Sequence, residues 1–230
     1  MCFAWMDKET MKVIQIPNSL AVPWFLRIHY AHKVPITLIT YGLYEKNNLV
    51  GVLSFGPPAR PLNLGYGIFK GALEMPTFEL NRLVLENNTK NHASFFVSQT
   101  FKLMKRPCCL VSYADSNVHH VGYVYQATNW IYTGLTPKRR KFVRRGKVLH
   151  ERTVVGAYGT SSSEGLPDDV DIEEQEGKHR YVFFLGSKKE RKLMKSLLAY
   201  PIFPYPKGET LSHESGNKVR KTPSFGARMR

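Results

Sequence analysis

Several side chains that can bind or move protons lie close together between residues 112 and 134. Asp115 directly follows an apolar segment typical of a buried strand, and the adjacent histidines His119 and His120 come next in a polar turn. Tyr125 lies further along, in a stretch typical of a short helix. In α/β proteins, side chains at the carboxyl end of such a strand face the crevice where ligands bind. This segment is therefore the first candidate for an active site.

Two of these side chains suggest acid–base chemistry. Asp115 could orient an amine and accept its proton, and the Tyr125 hydroxyl could donate a proton to a leaving group or hold a carbonyl. The alternative is structural: Asp115 caps the following turn, and Tyr125 packs in the core. His119 and His120 are more typical of a surface turn than of a ligand site.

The surrounding elements follow from hydrophobic periodicity and from the positions of proline and of capping residues. Strands are predicted over residues 12–16, 36–44, 49–55, 77–85, 108–114, 130–132 and 181–185. Helices are predicted from residue 18 or 19 to 32, from 91 or 94 to 104, over 122–128, and over 187–200. This order predicts a mixed α/β sheet with helices on both sides.

Three regions are expected from this order: an α/β core over residues 12–136, a basic strand-and-helix extension over 137–205, and a disordered basic tail over 206–230. Within the extension, residues 161–177 are rich in serine, glycine and acidic residues, which predicts a mobile loop.

The net charge of +15 over 230 residues points to an anionic partner, with nucleic acid as the first candidate. We expect the DNA phosphates to be bound by two basic segments, through Lys138, Arg139, Arg140, Lys141, Arg144, Arg145, Lys188, Lys189, Arg191 and Lys192. The acidic loop could shield the basic surface when no polyanion is bound.

Several common chemistries are not supported by the sequence. It contains neither a phosphate-binding P-loop nor a dinucleotide fingerprint, and it has no zinc-ligand spacing and no nucleophile elbow. Its three cysteines make no disulfide framework, so we expect reduced thiols. No apolar run is long enough for a transmembrane helix, and no membrane partner is expected.

The order of the elements is similar to that of the GNAT acyltransferase fold. Residues 125–130 (YQATNW) resemble the tyrosine-bearing helix and following strand of that fold, with Asn129 where a glycine is usual. GNAT proteins hold the pyrophosphate of coenzyme A with a glycine-containing turn before a helix, and the corresponding residues 86–93 (ENNTKNHA) contain no glycine. The resemblance implies an α/β fold with a GNAT-like mixed central sheet flanked by helices.

A second resemblance covers about residues 12–205. The His29-Tyr30 pair and the segments GVLSFGPP (51–58), ELNRL (79–83), SYAD (112–115) and GYVYQATN (122–129) together resemble the Mom family of bacteriophage proteins, which modify adenine in DNA. The resemblance implies that the exocyclic N6 of adenine receives a carbamoylmethyl group, protecting phage DNA from host restriction. The catalytic positions that it implies are His29, Tyr30, Ser94, Asp115 and Tyr125.

An adenine in duplex DNA must be flipped out before a protein can act on its amine, and it then needs an aromatic platform and hydrogen-bonding groups. Candidate contacts to the base are Tyr30, Asn81, Tyr123, Asn129 and Trp130. Glu79 and Arg82 are either a structural ion pair or further substrate contacts.

The implied product limits the choice of donor. Simple acetyl transfer would give an amide, whereas this product has an N–CH2 linkage. The donor is therefore acetyl-coenzyme A with a further step, or another activated two-carbon or glycyl donor. Iron is a candidate metal, with His29, Asp115 and Tyr125 as ligands, because imidazole, carboxylate and phenolate all suit it.

DNA is the expected partner, a homodimer is left open, and the cytoplasm of the host bacterium is the expected location. Two other functions stay open at this point. One is an acyltransferase that acts on a protein or small molecule, which tight coenzyme A binding and activity without DNA would favour. The other is a DNA-binding protein on an inactive acyltransferase scaffold, which would bind DNA without modifying its bases.

Overall fold

The computed structural model describes residues 11–58, 67–87, 89–149 and 151–208. Its strands are β1 (Met11–Gln15), β2 (Ile39–Glu45), β3 (Asn48–Gly56), β4 (Thr77–Leu85), β5 (Cys108–Ala114), β6 (Ile131–Leu135), β7 (Arg139–Arg144), β8 (Lys147–Leu149), β9 (Val170–Gln175) and β10 (His179–Leu185). Its helices are α1 (Asn18–Arg27), α2 (His92–Leu103), α3 (Tyr123–Ala127), α4 (Glu151–Tyr158) and α5 (Lys188–Ser196), with 3₁₀ turns at Ser116–Val118 and Ser163–Gly165. None of the helices in these residues is long and apolar enough to cross a bilayer.

Seven strands form one mixed sheet in the order β1-β2-β3-β4-β5-β10-β6. Neighbouring strands are antiparallel except for β4 and β5, which run parallel. Helices cover both faces of this sheet, so the predicted fold class is confirmed.

Strand β5 is buried along almost its whole length, because both of its faces are covered, and most of its side chains are apolar. Leu110 faces the core cluster that α2 and α3 complete, with Phe96 and Trp130 among its fully buried members. On the opposite face, Val111 packs with Met194 of α5 in a second cluster. Alternating side chains of one strand therefore serve two separate cores. Both cysteines within the described residues, Cys108 and Cys109, are free and buried.

A second, three-stranded sheet has the order β8-β7-β9 and packs on α4 around Phe142, Val154 and Val170. Residues 170–175 form β9, so the prediction of a loop without strands over 161–177 was wrong there. Acidic residues have low strand propensity, which favoured the loop interpretation. The strand is stabilised by its neighbour β7, because its carboxylates lie opposite cations of that strand. Glu173, for example, is the register partner of Lys141.

The predicted division at residue 136 also needs correction. The chain leaves the large sheet after β6, forms the small sheet, and returns as β10 between β5 and β6. The small sheet is therefore an insertion into the core, and residues 179–185 are part of the core itself. After α5, the chain passes the free edge of β6, where the Phe203 N–H donates to the Tyr132 carbonyl. Most of the tail predicted to be disordered, from residue 209 onward, lies outside the described residues.

Asn81 forms a β-bulge in β4. Ser54 pairs with Arg82 and Phe55 pairs with Leu80, which leaves Asn81 as the extra residue. Its side chain fixes the bulge: Oδ1 accepts from the buried Ser54 hydroxyl at 2.6 Å, and Nδ2 donates to the Ile36 carbonyl at 3.0 Å. The amide predicted to bind a base is therefore engaged within the fold.

We expect Asn81→Ala to lower the free energy of unfolding by about 1–3 kcal/mol, because the buried Ser54 hydroxyl loses its acceptor. Urea denaturation of this variant, of Ser54→Ala and of the double variant would measure the coupling between the two side chains. If the two losses simply add, the hydrogen bond does not stabilise the bulge.

Candidate active site

The site lies where β4 and β5 separate. Their parallel pairing covers only Thr77 to Glu79 of β4, opposite Cys109 to Val111 of β5. Beyond this point β4 stays paired with β3 and β5 stays paired with β10, so a gap opens between them after the Asn81 bulge. The gap lies toward the carboxyl end of β5, where α/β sheets commonly bind ligands.

Two hydroxyl groups bridge the base of this gap. Ser112 Oγ lies 2.7 Å from the Leu80 carbonyl oxygen of β4 and 2.7 Å from Tyr125 Oη. A carbonyl can only accept, so Ser112 donates its one proton to Leu80, and Tyr125 donates to Ser112. Burial raises the pKa of Tyr125 to about 12, so its phenol stays protonated at neutral pH and keeps this bridge intact.

Asp115 is held at the end of β5 by a cation and by an asparagine. Its Oδ2 lies 2.8 Å from Lys178 Nζ, and its Oδ1 accepts from the Asn117 backbone and side chain at 3.1 and 3.0 Å. Partial burial acts to raise the pKa of this carboxyl, but the hydrogen bonds from Lys178 and Asn117 outweigh it, and the pKa is lowered. Asp115 is therefore an ionised acceptor, and its Oδ1 also caps the following 3₁₀ turn.

The segment before β10 brings this cation to the site. The Ser116 hydroxyl donates to the Gly177 carbonyl at 2.6 Å, and Asn117 exchanges two hydrogen bonds of 3.2 Å with the backbone of Glu176. Residues 176–178 join the small sheet to β10, so the base of the insertion is bonded to the turn that follows Asp115.

Tyr30 lies in a group of aromatic rings beside this carboxylate. The His29 ring stacks on it with a centroid distance of 4.4 Å, and the His120 ring meets it edge-on at 5.6 Å. Burial raises the pKa of Tyr30; Lys178 acts to lower it and Asp115 to raise it, which places all three groups in one electrostatic neighbourhood. Tyr30 is nevertheless 45% exposed, so part of its ring is open to a ligand.

His29 is a neutral imidazole. Its pKa is lowered to about 4, mainly by burial and in addition by the positive charges of Arg82 and of neighbouring histidines. Its Nδ1 accepts from the Ala31 backbone N–H at 3.1 Å, so the ring proton is on Nε2. At neutral pH this side chain can donate one hydrogen bond but carries no charge.

Arg82 extends the site along β4. Its guanidinium donates to the carbonyl oxygens of Asn81 at 2.6 Å and of Lys33 at 3.4 Å, while its buried Nε has no hydrogen-bond partner within the described residues. Burial lowers its pKa, and the charges of Tyr30 and Glu79 act in the opposite direction. Arg82 and Glu79 therefore belong to the same electrostatic neighbourhood as Tyr30.

The structure thus gathers six of the predicted residues around the gap: His29, Tyr30, Glu79, Arg82, Asp115 and Tyr125. They come from the end of α1, from β4, and from the segment after β5.

The other predicted residues are placed differently. Trp130 is fully buried against Phe101, Tyr125 and Phe183, so it is a core residue and offers no face to a base. Asn129 is exposed and adopts a left-handed φ of 60°, the conformation that a glycine at this position would supply. The Tyr123 hydroxyl donates to the Gly208 carbonyl. The Ser94 hydroxyl donates to the Asn91 carbonyl at 3.1 Å in the first turn of α2.

Three residues of the site did not emerge from the sequence. The sequence favours a surface turn at His120. Ser112 belongs to the predicted strand and to the SYAD segment, but the sequence assigns it no role of its own. Lys178 lies in a charged segment far along the chain from Asp115, and no local pattern distinguishes it from its neighbours.

Two of the three proposed iron ligands, Asp115 and Tyr125, are engaged within the protein. Asp115 is bound by Lys178, and the Tyr125 hydroxyl is bound by Ser112. Among the described residues, no three His, Cys, Asp or Glu side chains are grouped closely enough to hold a metal ion. This arrangement fits a carboxylate balanced by an ammonium group better than a carboxylate bound to a metal.

The turn that precedes α2 adopts a left-handed backbone conformation even without a glycine. Asn91 precedes the helix with a left-handed φ of 69°, which asparagine tolerates. Its side chain does not cap the helix, and the first turn carries no acidic residue. Backbone N–H groups at such a helix start are suited to an anion.

Comparison with known proteins supplies the family. Methylcarbamoylase Mom of Escherichia phage Mu is 26% identical over 193 residues, which cover 78% of this chain and 76% of that protein. Solved structures with a similar arrangement include the ribosomal-protein-S5-alanine acetyltransferase of Vibrio fischeri, with a TM-score of 0.45, 11% identity, and coverage of 80% of this chain and 97% of that one. The ribosomal-protein-S18-alanine N-acetyltransferase of Escherichia coli has a TM-score of 0.41, 8% identity, and coverage of 77% and 97%.

The family model of the Mom protein family matches residues 10–207, a range that contains every residue of the candidate site. The chain therefore belongs to the Mom protein family.

Proposed function

We propose that this protein is a DNA-modifying transferase that adds a carbamoylmethyl group to the exocyclic N6 of adenine. Membership of the Mom family supports this function, as does the name methylcarbamoylase of the phage Mu relative. The observation that carries the proposal is the arrangement of His29, Tyr30, Asp115 and Tyr125 around the gap between β4 and β5, on three segments that hydrogen bonds and ring contacts hold together. The gap presents an ionised carboxylate beside an open aromatic ring.

In this mechanism the adenine leaves the base stack, and its ring lies against the exposed part of Tyr30. The ionised Asp115 accepts a hydrogen bond from the N6 amine and orients its lone pair toward the donor. Its lowered pKa makes it a good acceptor and a weak base. The amine nitrogen forms the new N–CH2 bond as the bond between that CH2 carbon and the donor's leaving group breaks, and the leaving group departs with the electron pair and with the proton that the amine loses.

An activated two-carbon or glycyl donor with a leaving group on its CH2 carbon would supply the transferred group. Acetyl-coenzyme A would need a further step, because attack on its carbonyl gives an amide. The start of α2 would hold the phosphates of a donor that carries them. His29 would offer its Nε2–H to a donor oxygen. The Ser112 hydroxyl joins β5 to the Leu80 carbonyl of β4, and Tyr125 holds that hydroxyl, so the two side chains would fix the base of the gap and position the reacting groups.

We expect bacteria that express the protein to contain carbamoylmethyl-adenine in their plasmid DNA, because the site binds a base beside a carboxylate. Mass spectrometry of nucleosides from digested DNA measures this product. Asp115→Asn should abolish it, because the ionised acceptor is lost. Asp171→Asn, a matched change at an exposed position of β9, should leave it unchanged. Unmodified DNA from soluble, folded wild-type protein would contradict the proposed function.

Lys178→Met should reduce modification by roughly ten- to a hundredfold, because Asp115 loses the cation that orients it. The same change should raise the pKa of Asp115, so the acidic limb of the pH–activity profile should move to higher pH. Lys178→Arg should restore most of the activity. A Lys178→Met variant that loses activity without any shift of the acidic limb would indicate a purely structural role.

We expect His29 to stay neutral through the physiological pH range, because its pKa is lowered to about 4. Its folded pKa lies below its unfolded value, so the unfolded state binds the proton first as the pH falls. The stability that the neutral imidazole contributes is therefore lost between about pH 6.5 and pH 4. Nitrogen-15 NMR of the imidazole would follow this titration, with the signals assigned by His29→Gln. A midpoint near pH 6.5 would be the contrary result.

A further inference from the structure

The basic run between residues 138 and 145 is largely neutralised within the protein. Every cation of this run except Arg139 lies within 4.0 Å of a carboxylate of the small sheet or its flanking segments. The distances are 2.8 Å for Lys138–Glu176, 3.7 Å for Arg140–Glu151, 2.6 Å for Lys141–Glu173, 2.9 Å for Arg144–Asp169 and 3.4 Å for Arg145–Asp169. The acidic segment predicted to be a loop supplies the carboxylate in four of these five pairs.

The charge of the whole insertion reflects this pairing. Residues 137–178 contain nine lysines and arginines and eight aspartates and glutamates, so they contribute almost nothing to the net charge of +15. A phosphate that bound to this surface would have to replace a carboxylate that is already in place. The DNA would release one salt cation, but the freed carboxylate would take one up. The exchange therefore gives no net release of counterions and contributes little to affinity.

Helix α5 has the opposite character. Lys188, Arg191, Lys192 and Lys195 are all exposed, and their spacing of three or four residues places them on one face of the helix. No carboxylate within the described residues lies in salt-bridge distance of any of them. Met194 anchors the helix to the sheet, and the Ser187–Glu190 capping box fixes its start.

The course of the chain brings the segment after α5 back toward the end of β5 that carries Asp115. Leu185 pairs with Cys108, so α5 begins at the end of β5 that is far from Asp115. The helix then returns along the sheet, and Tyr200 packs against the guanidinium of Arg180 at 3.4 Å. Arg180 is the register partner of Tyr113, two residues before Asp115. Nine helical residues span about 14 Å, which corresponds to about four phosphates of one DNA strand.

Arg139 continues this surface near the site. It is exposed, and it is the one cation of β7 without a carboxylate partner among the described residues. Its charge acts on Tyr113, together with those of Glu79 and Arg180. Arg139 is also the register partner of Gln175, next to residues 176 and 177, which are bonded to the turn after Asp115, so an unpaired cation lies near the gap.

We propose that the exposed cationic face of α5, together with Arg139, binds the DNA backbone. The other cations of the 138–145 run are neutralised by carboxylates of the small sheet and its flanking segments. This inference rests on the proposed function for the identity of the partner, and it goes beyond that function by assigning the binding surface. Carboxylates of β9 and its flanking residues pair with the β7 cations, which are then not available to phosphates. The surface that remains available to DNA is that of α5.

The test uses two full-length variants that each lose four positive charges. One carries Lys188→Gln, Arg191→Gln, Lys192→Gln and Lys195→Gln. The matched control carries Lys138→Gln, Lys141→Gln, Arg144→Gln and Arg145→Gln. Fluorescence anisotropy with a labelled DNA duplex gives the affinity at salt concentrations from about 50 to 200 mM. Thermal denaturation of each variant establishes that it is folded.

The α5 variant should bind roughly tenfold or more weakly, and the slope of log affinity against log salt should become shallower by about 0.9 for each phosphate that the helix no longer neutralises. The control variant should keep the wild-type slope. Equal slopes for both variants, or a shallower slope for the control alone, would overturn the assigned surface while the proposed function stands. A wild-type protein that binds no duplex at any of these salt concentrations would overturn the proposed function as well.

Discussion

The separation of β4 from β5 is the constraint on which the candidate site depends. Two parallel strands that stayed paired to their ends would leave no room for a substrate between them. Here the Asn81 bulge turns β4 away after only three paired residues. The freed Leu80 carbonyl still needs a donor, and the Ser112 hydroxyl supplies it. Because Ser112 is in turn bound by Tyr125, the gap, the strands and α3 are fixed by one short chain of hydrogen bonds.

A second constraint concerns the charge of Asp115. A partly buried carboxylate without a cation would tend to take up a proton. Lys178 prevents this, and it reaches the site only because the chain makes a long excursion through the small sheet before it returns as β10. The hydrogen bonds of Ser116 and Asn117 to residues 176 and 177 secure that return. The insertion is thereby coupled to the chemistry of the site, although its own strands lie outside the central sheet.

Local features of the sequence were sufficient to predict the central strand, the turn after Asp115 and the helix that carries Tyr125, since apolar runs and chain-breaking residues mark their ends. Trp130 could not be assigned from the sequence in this way, because an aromatic residue can either stack on a base or pack in a core. Its contacts with Phe101 and Phe183 in the folded protein show that it is a core residue. Strand β9 and Lys178 were missed for a related reason. Their roles depend on partners distant in sequence, and a single chain read in order does not show which charges meet in space.

The same distinction changes the meaning of the net charge. Along the sequence, the run that begins at Lys138 is the strongest basic signal, and α5 is a weaker one. In the folded protein the order is reversed, because β9 supplies carboxylates to the first segment and nothing comparable within the described residues faces the second. Ion pairs between exposed side chains each contribute little to stability. Their effect here is instead on which cations remain available to a polyanion. Electrostatic attraction of a partner depends on the unpaired charge at a surface, so a chain with two basic segments can present only one of them.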